Sequence, residues 1–570
     1  MQTPPERIAQ KLTALYGAEV AAALLERLRA LIGKPPALQP ADLGLSARDV
    51  VLITYGDQVH APGEAPLATL RAFLRQTIKD QINSLHILPF YPYSSDDGFS
   101  VIDYYAVNPA LGGWDDVRAL GDDYRLMFDA VVNHISAESA WFKAFLRGEA
   151  PYSDYFISVD PATDLSLVRR PRALPLLTPF ETARGTQHVW TTFSADQIDL
   201  NFANPEVLLE LLRVLLFYVQ QGARLIRLDA IGYLYKVIGT NCIHLPQTHL
   251  IVQLMRAVLD WAAPEVLLIT ETNVPHDENI SYFGDGRNEA QMVYQFSLPP
   301  LLLHTLHTGD SSALSRWAAG IRPQSARTTF FNFTASHDGI GVTPALGILS
   351  AAEIDALVQR TQAHAGFVSY KNNSDGSRSP YELNITYFDA ITPPPLTAAQ
   401  PDEAVRRFLC SQAMMLAFVG VPGVYFHSLF AGRNDQQGVE QSGRYRSINR
   451  EKLPAAALLS ALAEPGSIRQ QVFTAYQHLL AARTQQAAFH PLGEQRVLDA
   501  GPAVFALERR SPDGQHSVLA LHNVRGENVD VQLDGHSGHW RDLLSSEQQR
   551  SSGGLRLRLA PYQVMWLKAL

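Results

Sequence analysis

Short apolar runs alternate with helix-forming segments along most of the chain. The runs are almost continuously apolar, which is typical of strands buried on both faces of a parallel sheet. There are eight of them, the number that a closed (β/α)8 barrel requires. We therefore predict a TIM barrel. Its predicted strands are residues 50–55, 84–90, 125–134, 224–229, 266–271, 291–296, 328–333 and 421–426.

The pattern changes at both ends of the chain. Residues 1–48 carry apolar positions at helical spacing up to Gly33, which predicts a helical extension docked on the barrel. Residues 491–570 contain short runs in which apolar and polar residues alternate. Alternation of this kind predicts an antiparallel β domain. The barrel itself is assigned to residues 49–134 and 197–490.

Two connections are too long for simple turns. Residues 135–196 follow the third predicted strand, are rich in Pro, Arg and Ser, and predict a small inserted domain beside the active rim. Residues 339–400 follow the seventh strand and contain the polar stretch VSYKNNSDGSRSPYELN, which predicts a long loop over the pocket.

Composition narrows the classes of function. The 570 residues include 47 Lys and Arg against 56 Asp and Glu, a formal net charge of −9, without a long basic run. Neither nucleic acid nor a membrane is an expected partner. The sequence also lacks a signal-peptide pattern and a bilayer-spanning run, so we predict a cytoplasmic protein. The two cysteines, Cys242 and Cys410, are expected to be buried thiols rather than metal ligands.

Three acidic residues close or follow apolar runs. They are Asp229 in RLIRLDA, Glu271 in VLLITET and Asp338 in FFNFTASHD. Because active sites of (β/α)8 barrels lie at the C-terminal ends of the strands, we expect these carboxylates to converge. Paired carboxylates that act as nucleophile and proton donor are the machinery of retaining glycosidic chemistry.

Several motifs carry a family resemblance. FDAVVNH, RLIRLDA, ITETN and ASHDG resemble, in order, the four motif regions of the α-amylase superfamily, glycoside hydrolase family 13. QIDLN before the fourth strand matches as well. ITYGDQV, HILPFYPYSSDDGF, LGGWDDV, RLDAIGY, FSLPPLLLHTLHTGD and SHDGIGV are similar to the sucrose-phosphorylase-like branch. That branch transfers a glucosyl unit between a small acceptor and inorganic phosphate, without a metal or organic cofactor.

The resemblance implies a role for each catalytic position. Asp229 would be the nucleophile, Glu271 the acid and base, and Asp338 the stabiliser of the transition state. Arg227 would keep Asp229 ionised. His134 and His337 would contact the sugar. An inactive scaffold protein of the superfamily would be expected to lack one of the carboxylates, and all three are present.

The resemblance also implies a closed donor pocket. Asp96 and Arg446 resemble the pair that closes the far side of the glucosyl site, and the branch pattern selects Asp96 over Asp97. Phe193, Gln197 and Tyr233 match other positions that line the pocket. Loop salt bridges or core aromatics are the competing interpretations of these residues. Asn133 matches a calcium-binding asparagine of α-amylases, but no further oxygen ligands accompany it, so we predict a hydrogen-bonding role.

The acceptor is predicted from the residues after Glu271. Sucrose phosphorylases continue with Val-His, whereas this chain has ETNVPH. Together with SYKNNSDGSRSPYELN, this string resembles the glucosylglycerate phosphorylases of the same branch. The expected substrates are therefore 2-O-α-D-glucosyl-D-glycerate, inorganic phosphate and α-D-glucose 1-phosphate. Candidate groups for the anionic acceptors are Arg172, Asn273, Tyr370, Lys371 and Tyr381, with Arg170 and Arg378 as further cations.

Two alternatives to this acceptor stay open at the level of sequence. The first comprises other acceptors in the same chemistry, namely sucrose, sucrose 6′-phosphate or glucosylglycerol phosphorolysis. The second is an α-glucosidase or transglucosidase that uses the same carboxylates with water or a sugar as acceptor. The oligomeric state is not predicted.

Overall fold

The core of the protein is a closed ring of eight parallel strands. The computed structural model describes residues 2–34, 42–172, 174–373 and 376–570. Each strand pairs with its predecessor and successor in the chain, and the first pairs with the eighth. The predicted (β/α)8 barrel is thus confirmed. Its strands are Val51–Thr54, Ser84–Ile87, Arg125–Ala130, Ala223–Leu228, Leu267–Thr270, Met292–Tyr294, Thr329–Phe333 and Val421–Tyr425.

Several strands are shorter than the apolar runs that predict them. The third ends at Ala130, four residues before the end of its run, because pairing with the fourth strand stops there. His134 instead opens a separate short strand, His134–Ser136, which pairs antiparallel with Gln197–Asp199. The residues between Ala130 and His134 are therefore buried although they lie beyond the hydrogen-bonded strands of the barrel.

Helices surround the barrel and frequently begin with proline. Proline is favoured in the first turn because its fixed φ suits the helix and its missing N–H would have no helical partner. The helices are Pro4–Tyr16, Ala18–Ile32, Pro66–Thr77, Trp114–Gly121, Ala140–Leu146, Pro205–Gln220, Pro246–Ala262, His276–Ile280, Leu298–Thr308, Ser312–Ala318, Ala351–Ala363, Tyr387–Ile391, Pro394–Ala399, Pro401–Ala417, Phe426–Leu429, Gln436–Ser442, Ala455–Ala463 and Ile468–Thr484. No helix among the described residues is long and apolar enough to cross a membrane.

Two N-terminal helices lie on the outside of the barrel. Pro4–Tyr16 packs against Pro246–Ala262, where Arg7 pairs with Asp260 at 2.8 Å. Ala18–Ile32 packs against Pro205–Gln220, and Arg27 pairs with Glu206 at 2.5 Å. The first helix starts at a capping box, in which Thr3 and Glu6 satisfy each other's backbone N–H groups.

Both long connections contain regular structure. The inserted segment holds helix Ala140–Leu146 and a hairpin of Leu177–Thr182 and Gly185–Trp190. Residues 339–400, expected to be a loop, contain a sheet of Ile340–Gly341, Phe367–Asn372 and Arg378–Asn384 beside helix Ala351–Ala363. The polar stretch that suggested a loop supplies most of both hairpin strands, and its residues Ser374 and Asp375 lie outside the described residues.

The C-terminal region is an antiparallel β structure, as predicted. The five predicted strands are Val504–Arg510, Ser517–Asn523, Val529–Leu533, Leu555–Leu559 and Val564–Ala569. Three more polar strands were not predicted: Glu494–Leu498, Gly538–Asp542 and Gln548–Ser551. A short parallel pair, Val59–His60 with Leu453–Pro454, lies outside both the ring and this region.

Two buried arginines lie where the barrel meets the C-terminal sheet, and one of them spans the junction. Arg483, in helix Ile468–Thr484, donates to the carbonyl oxygens of Ala47, Leu416, Gly420 and Phe489, all on the barrel side. Arg509, in the sheet, donates to Ala417 at the end of helix Pro401–Ala417, to His490 and to Glu494. Both guanidinium groups are fully buried. In addition, Trp566 belongs to the same apolar core as the barrel strands.

Candidate active site

Three carboxylates meet at the C-terminal rim of the barrel. Asp229 directly follows the fourth strand, Glu271 follows the fifth, and Asp338 lies in the turn after the seventh. All three line one pocket. Ala230 has a left-handed backbone with φ of 48°, and its N–H donates to Glu271 Oε2 at 3.0 Å. The turn after Asp229 thereby holds Glu271 close to it.

Arg227 lies beneath these carboxylates. It precedes Asp229 by two residues on the same strand, so both side chains point to the same face. Its Nη1 donates to Asp229 Oδ1 at 2.8 Å and to Asp129, while its Nη2 lies 3.9 Å from Glu271 Oε2. The guanidinium also lies over the rings of Phe99 and Tyr294, at 5.6 and 5.4 Å. These hydrogen bonds and ring contacts hold the buried Arg227 guanidinium in one position.

The acid–base properties of the site follow from burial. Burial raises the pKa of Asp229, and the nearby charge of Glu271 raises it further. Burial likewise raises the pKa of Glu271. Two adjacent buried carboxyl groups resist double ionisation, so the pair retains one proton near neutrality. Because Arg227 contacts Asp229 more closely, the negative charge is favoured on Asp229 and the proton on Glu271.

Asp338 has the opposite electrostatic setting. Arg446 Nη1 lies 2.6 Å from its Oδ1, and His337 Nε2 lies 3.4 Å away. Although burial opposes ionisation, the guanidinium charges of Arg446 and, more weakly, Arg450 hold the pKa of Asp338 well below its usual value. Burial lowers the pKa of His337 to about 3, so its imidazole is neutral near pH 7. Asp338 thus remains negative and accepts hydrogen bonds throughout the ordinary pH range.

Seven of the eight predicted donor-site residues line the same pocket, and Arg227 lies beneath it. The seven are Asp96, His134, Phe193, Gln197, Tyr233, His337 and Arg446. His134 Nε2 lies 2.8 Å from the carbonyl oxygen of Phe99, and Gln197 Nε2 donates to the same oxygen at 3.0 Å. The ring of Phe193 lies 5.3 Å from His134 and 5.4 Å from Tyr233.

The ion pairs at the far side of the glucosyl site differ from the predicted pair of Asp96 with Arg446. Asp96 Oδ2 accepts from Arg172 Nη2 at 3.0 Å. Arg446 bridges Asp338 and Glu382, with the second contact at 2.5 Å. Arg446 also contributes to the lowered pKa of Asp96, after the larger effect of Arg172. Asp97, set aside on the sequence pattern, pairs with Arg450 and lies outside the pocket lining.

Sequence reasoning did not name several residues of this pocket, among them Glu382 and Phe99. Glu382 is 3% exposed and anchors Arg446, and Phe99 stacks on His337 with ring centres 4.5 Å apart. Both lie within stretches quoted for the resemblance, SSDDGF and YELN, so position within a motif was the available signal. The ion pair between Arg446 and Glu382 could not be predicted from these motifs, because the two residues are 64 positions apart in the chain.

The acceptor candidates separate into two groups. Arg172, Asn273 and Tyr381 line the catalytic pocket. Tyr370 lines a neighbouring chamber with Arg172 and Glu382, and Lys371 and Arg170 line a separate groove. Arg378 lines none of these. The Oδ1 atom of Asn273 is buried without a hydrogen-bond partner among the described residues. It lies against Gly341, where an added Cβ would come within 2.5 Å of it.

Asn133 contacts an ammonium group. Lys236 Nζ donates to Asn133 Oδ1 at 3.0 Å and pairs with Asp199 Oδ2 at 2.6 Å. Asn133 Nδ2 donates to the same carboxylate at 3.1 Å. Within the described parts of the chain, no group of three His, Cys, Asp or Glu side chains is arranged to hold a metal.

Removal of Lys236 is expected to destabilise the fold. Lys236→Met leaves the fully buried Asp199 carboxylate without its cation, which costs about 3 to 5 kcal/mol. Chemical denaturation followed by circular dichroism measures the effect. Arg147→Gln is the control, since it removes an exposed pair with Glu149 and should leave the midpoint unchanged. Equal midpoints for the two variants would contradict the structural role of Lys236.

Comparison with known proteins agrees with this geometry. Residues 77–338 match the family model "Alpha amylase, catalytic domain". Glucosylglycerate phosphorylase of Allomeiothermus silvanus is 50% identical over 99% of this chain and 98% of its own length. The chain belongs to the glucosylglycerate phosphorylase family of the α-amylase superfamily. Glucosylglycerate phosphorylase of Escherichia coli is 44% identical over 99% of this chain and all of its own length.

More distant relatives are phosphorylases named for other substrates. Sucrose phosphorylase of Agrobacterium vitis is 31% identical over 80% of this chain and 92% of its own. Among solved structures, sucrose 6F-phosphate phosphorylase from Thermoanaerobacter thermosaccharolyticum superposes with a TM-score of 0.72 at 26% identity, over 84% of this chain and 94% of that one. The glucosylglycerate phosphorylase family thus shares its barrel with phosphorylases of other glucosides.

Proposed function

We propose that this protein is a retaining glycoside phosphorylase that converts 2-O-α-D-glucosyl-D-glycerate and phosphate into α-D-glucose 1-phosphate and D-glycerate. Identities of 44 to 52% with glucosylglycerate phosphorylases, over 89 to 100% of their lengths, carry the substrate assignment. The buried carboxylate pair Asp229 and Glu271 supports the mechanism. The reaction suits a cytoplasmic enzyme, because phosphate and phosphorylated sugars are retained inside cells.

The first displacement breaks the glucosidic bond. Asp229 attacks the anomeric carbon and forms a covalent β-glucosyl ester, while Glu271 transfers its proton to the departing glycerate oxygen. Arg227 donates to Asp229 at 2.8 Å and favours its ionised form before attack. As the ester forms, the charge of Asp229 is lost and Arg227 retains Asp129 as its partner.

The second displacement returns the glucosyl unit to phosphate. Glu271, now ionised, accepts a proton from the incoming phosphate as the phosphate oxygen attacks the anomeric carbon and Asp229 leaves. Two inversions give net retention, so the product is the α-anomer. No metal ion or redox step is needed to balance the reaction.

Asp338 acts in both displacements. Arg446 holds its negative charge beside the pocket that would receive the sugar ring. Hydrogen bonds from sugar hydroxyls to this carboxylate strengthen as the ring gains positive charge. An interaction that is stronger in the transition state than in the ground state accelerates the chemical step.

The acceptor side offers groups suited to anions. Arg172 is a cation of the pocket lining, although its guanidinium pairs with Asp96 at 3.0 Å in the described state. A phosphate or the glycerate carboxylate can compete for it, since guanidinium groups bind such anions in a bidentate manner. The unpaired Asn273 oxygen can accept from a glycerate hydroxyl. These contacts support glycerate over the uncharged fructosyl group.

The test is phosphate release in the synthesis direction. Purified protein is incubated with α-D-glucose 1-phosphate and, in parallel, D-glycerate, glycerol, fructose, fructose 6-phosphate or no acceptor. We expect release that depends on D-glycerate. The Asp229→Asn protein controls for contaminating phosphatase. Preference for another acceptor would replace the substrate within the same chemistry, and equal release without acceptor would identify a hydrolase.

A further inference from the structure

A second groove lies beside the catalytic pocket, between the inserted segment and strand Phe367–Asn372. It encloses about 700 Å³ and does not share a lining residue with the catalytic pocket. We call it the outer groove. Its lining residues are Leu165, Ser166, Leu167, Val168, Arg169, Arg170, Leu176, Asn241, Lys371, Asn372 and Asn373.

The described lining of the outer groove is rich in hydrogen-bond donors and includes no Asp or Glu. Three of its eleven described lining residues are cationic, three are asparagines and one is a serine, in a chain whose formal net charge is −9. By contrast, the catalytic pocket holds five Asp and Glu side chains. A local excess of cations on an acidic protein creates a positive potential that attracts anions to this groove.

Two of the cations lack a carboxylate partner. Arg169 pairs with Glu278 at 2.8 Å, outside the lining. Among residues 2–34, 42–172, 174–373 and 376–570, neither Arg170 nor Lys371 forms an ion pair with a carboxylate. Within the described part of the chain, the Arg170 side chain donates to the carbonyl oxygen of Leu174, at 3.4 Å.

Arg169 and Lys371 lie close enough to interact electrostatically. Burial lowers the pKa of Lys371 and the charge of Arg169 lowers it further, while Glu278, the ion-pair partner of Arg169, opposes this shift. An anion placed among the three cations would remove this repulsion and add charge-assisted hydrogen bonds. The amides of Asn241, Asn372 and Asn373 supply neutral donors around them.

We propose that the outer groove is a binding site for a small organic polyanion, a phosphate ester or polycarboxylate, distinct from the catalytic acceptor site. Its volume exceeds what a single inorganic phosphate would fill. The side chains of Leu165, Val168 and Leu176 would contact the carbon skeleton of such a ligand, and the three cations would contact its charged groups.

Occupation of the groove would affect both walls of the catalytic pocket. Arg169 and Arg170 precede Arg172, which pairs with Asp96 inside that pocket. On the other side, Lys371 lies opposite Ser379 on the strand that carries Tyr381 and Glu382. A ligand that contacts both segments would hold them together, which is the physical basis for coupling this site to acceptor binding.

Calorimetric titration tests the proposal with two probes, inorganic pyrophosphate and citrate, at constant ionic strength. The full-length double variant Arg170→Gln/Lys371→Met removes two groove cations. The control Lys34→Met/Arg184→Gln removes the same two charge types from exposed positions outside the groove. We expect the dissociation constant of at least one probe to rise tenfold or more in the groove variant and to change less than twofold in the control.

Comparison of the two probes identifies the class of anion that binds, and hydrogen–deuterium exchange identifies the binding site. Tighter binding of pyrophosphate would indicate phosphate esters, and tighter binding of citrate would indicate polycarboxylates. Hydrogen–deuterium exchange should slow in residues 165–172 and 367–373 when the wild-type protein binds. Absence of binding by both probes, or equal weakening in both double variants, would overturn the proposal. These outcomes do not depend on which acceptor the catalytic site uses.

Discussion

Asp229→Asn is expected to lower phosphorolysis by about 10⁴-fold or more, because the variant cannot form the glucosyl ester. The fold should be retained, since an amide oxygen can still accept from Arg227 at the same position. The initial rate of α-D-glucose 1-phosphate formation measures the loss. Near-ultraviolet circular dichroism and the midpoint of denaturation report on the fold.

The control for this variant is Asp115→Asn. Asp115 is also an aspartate, but its side chain is 95% exposed at the start of helix Trp114–Gly121, away from the pocket. Its activity should match that of the wild-type protein. Substantial phosphorolysis by Asp229→Asn would show that another residue is the nucleophile.

Glu271→Gln is expected to lower the cleavage of glucosylglycerate by about 10²- to 10⁴-fold, the usual contribution of a general acid. The loss should be much smaller with α-D-glucosyl fluoride, because fluoride departs without a proton. Parallel measurements of kcat/KM for the two donors separate these effects. Glu265→Gln, at the exposed turn before the same strand, is the matched control.

The pH profile provides a second readout of Glu271. Burial raises the pKa of Glu271, so its proton leaves at higher pH than that of an ordinary glutamic acid. Activity toward glucosylglycerate should therefore fall as pH rises through the upper pKa of the Asp229 and Glu271 pair, since the proton donor is then lost. This alkaline decrease should be absent in Glu271→Gln. Persistence of the decrease would assign it to another group.

The barrel was predictable because its strands are buried on both faces. Continuous apolar runs such as Val421–Tyr425 carry that signal directly, and a charge at the end of a run marks the rim. Asp229 and Glu271 could be found in this way. The three polar strands of the C-terminal sheet, such as Gln548–Ser551, carry little apolar alternation and were missed for that reason.

The ion pairs of the site could not be read from the sequence. Asp96 was expected to act with Arg446, yet its direct partner is Arg172, from the inserted segment. Which arginine meets which carboxylate depends on how separate segments fold over the rim. Long-range pairs of this kind leave no periodic pattern in the chain.

The direction of the Lys371 side chain could not be predicted from the sequence either. Its stretch was interpreted as a loop, in which Tyr370 and Lys371 could both turn toward the acceptor. In the structure they lie on a strand, where successive side chains point to opposite faces. Tyr370 therefore lines the chamber beside the catalytic pocket, whereas Lys371 lines the outer groove.

The buried Arg509 ties the C-terminal sheet to the barrel. Its guanidinium donates to the carbonyl oxygens of Ala417 and His490 on one side of the junction and of Glu494 on the other, so detachment of the sheet would leave a buried charge and carbonyls without partners. A chain truncated before this sheet would also expose the apolar surface that Trp566 covers. We therefore expect the sheet and the barrel to unfold together in one transition, and a catalytic barrel without the sheet to be unstable.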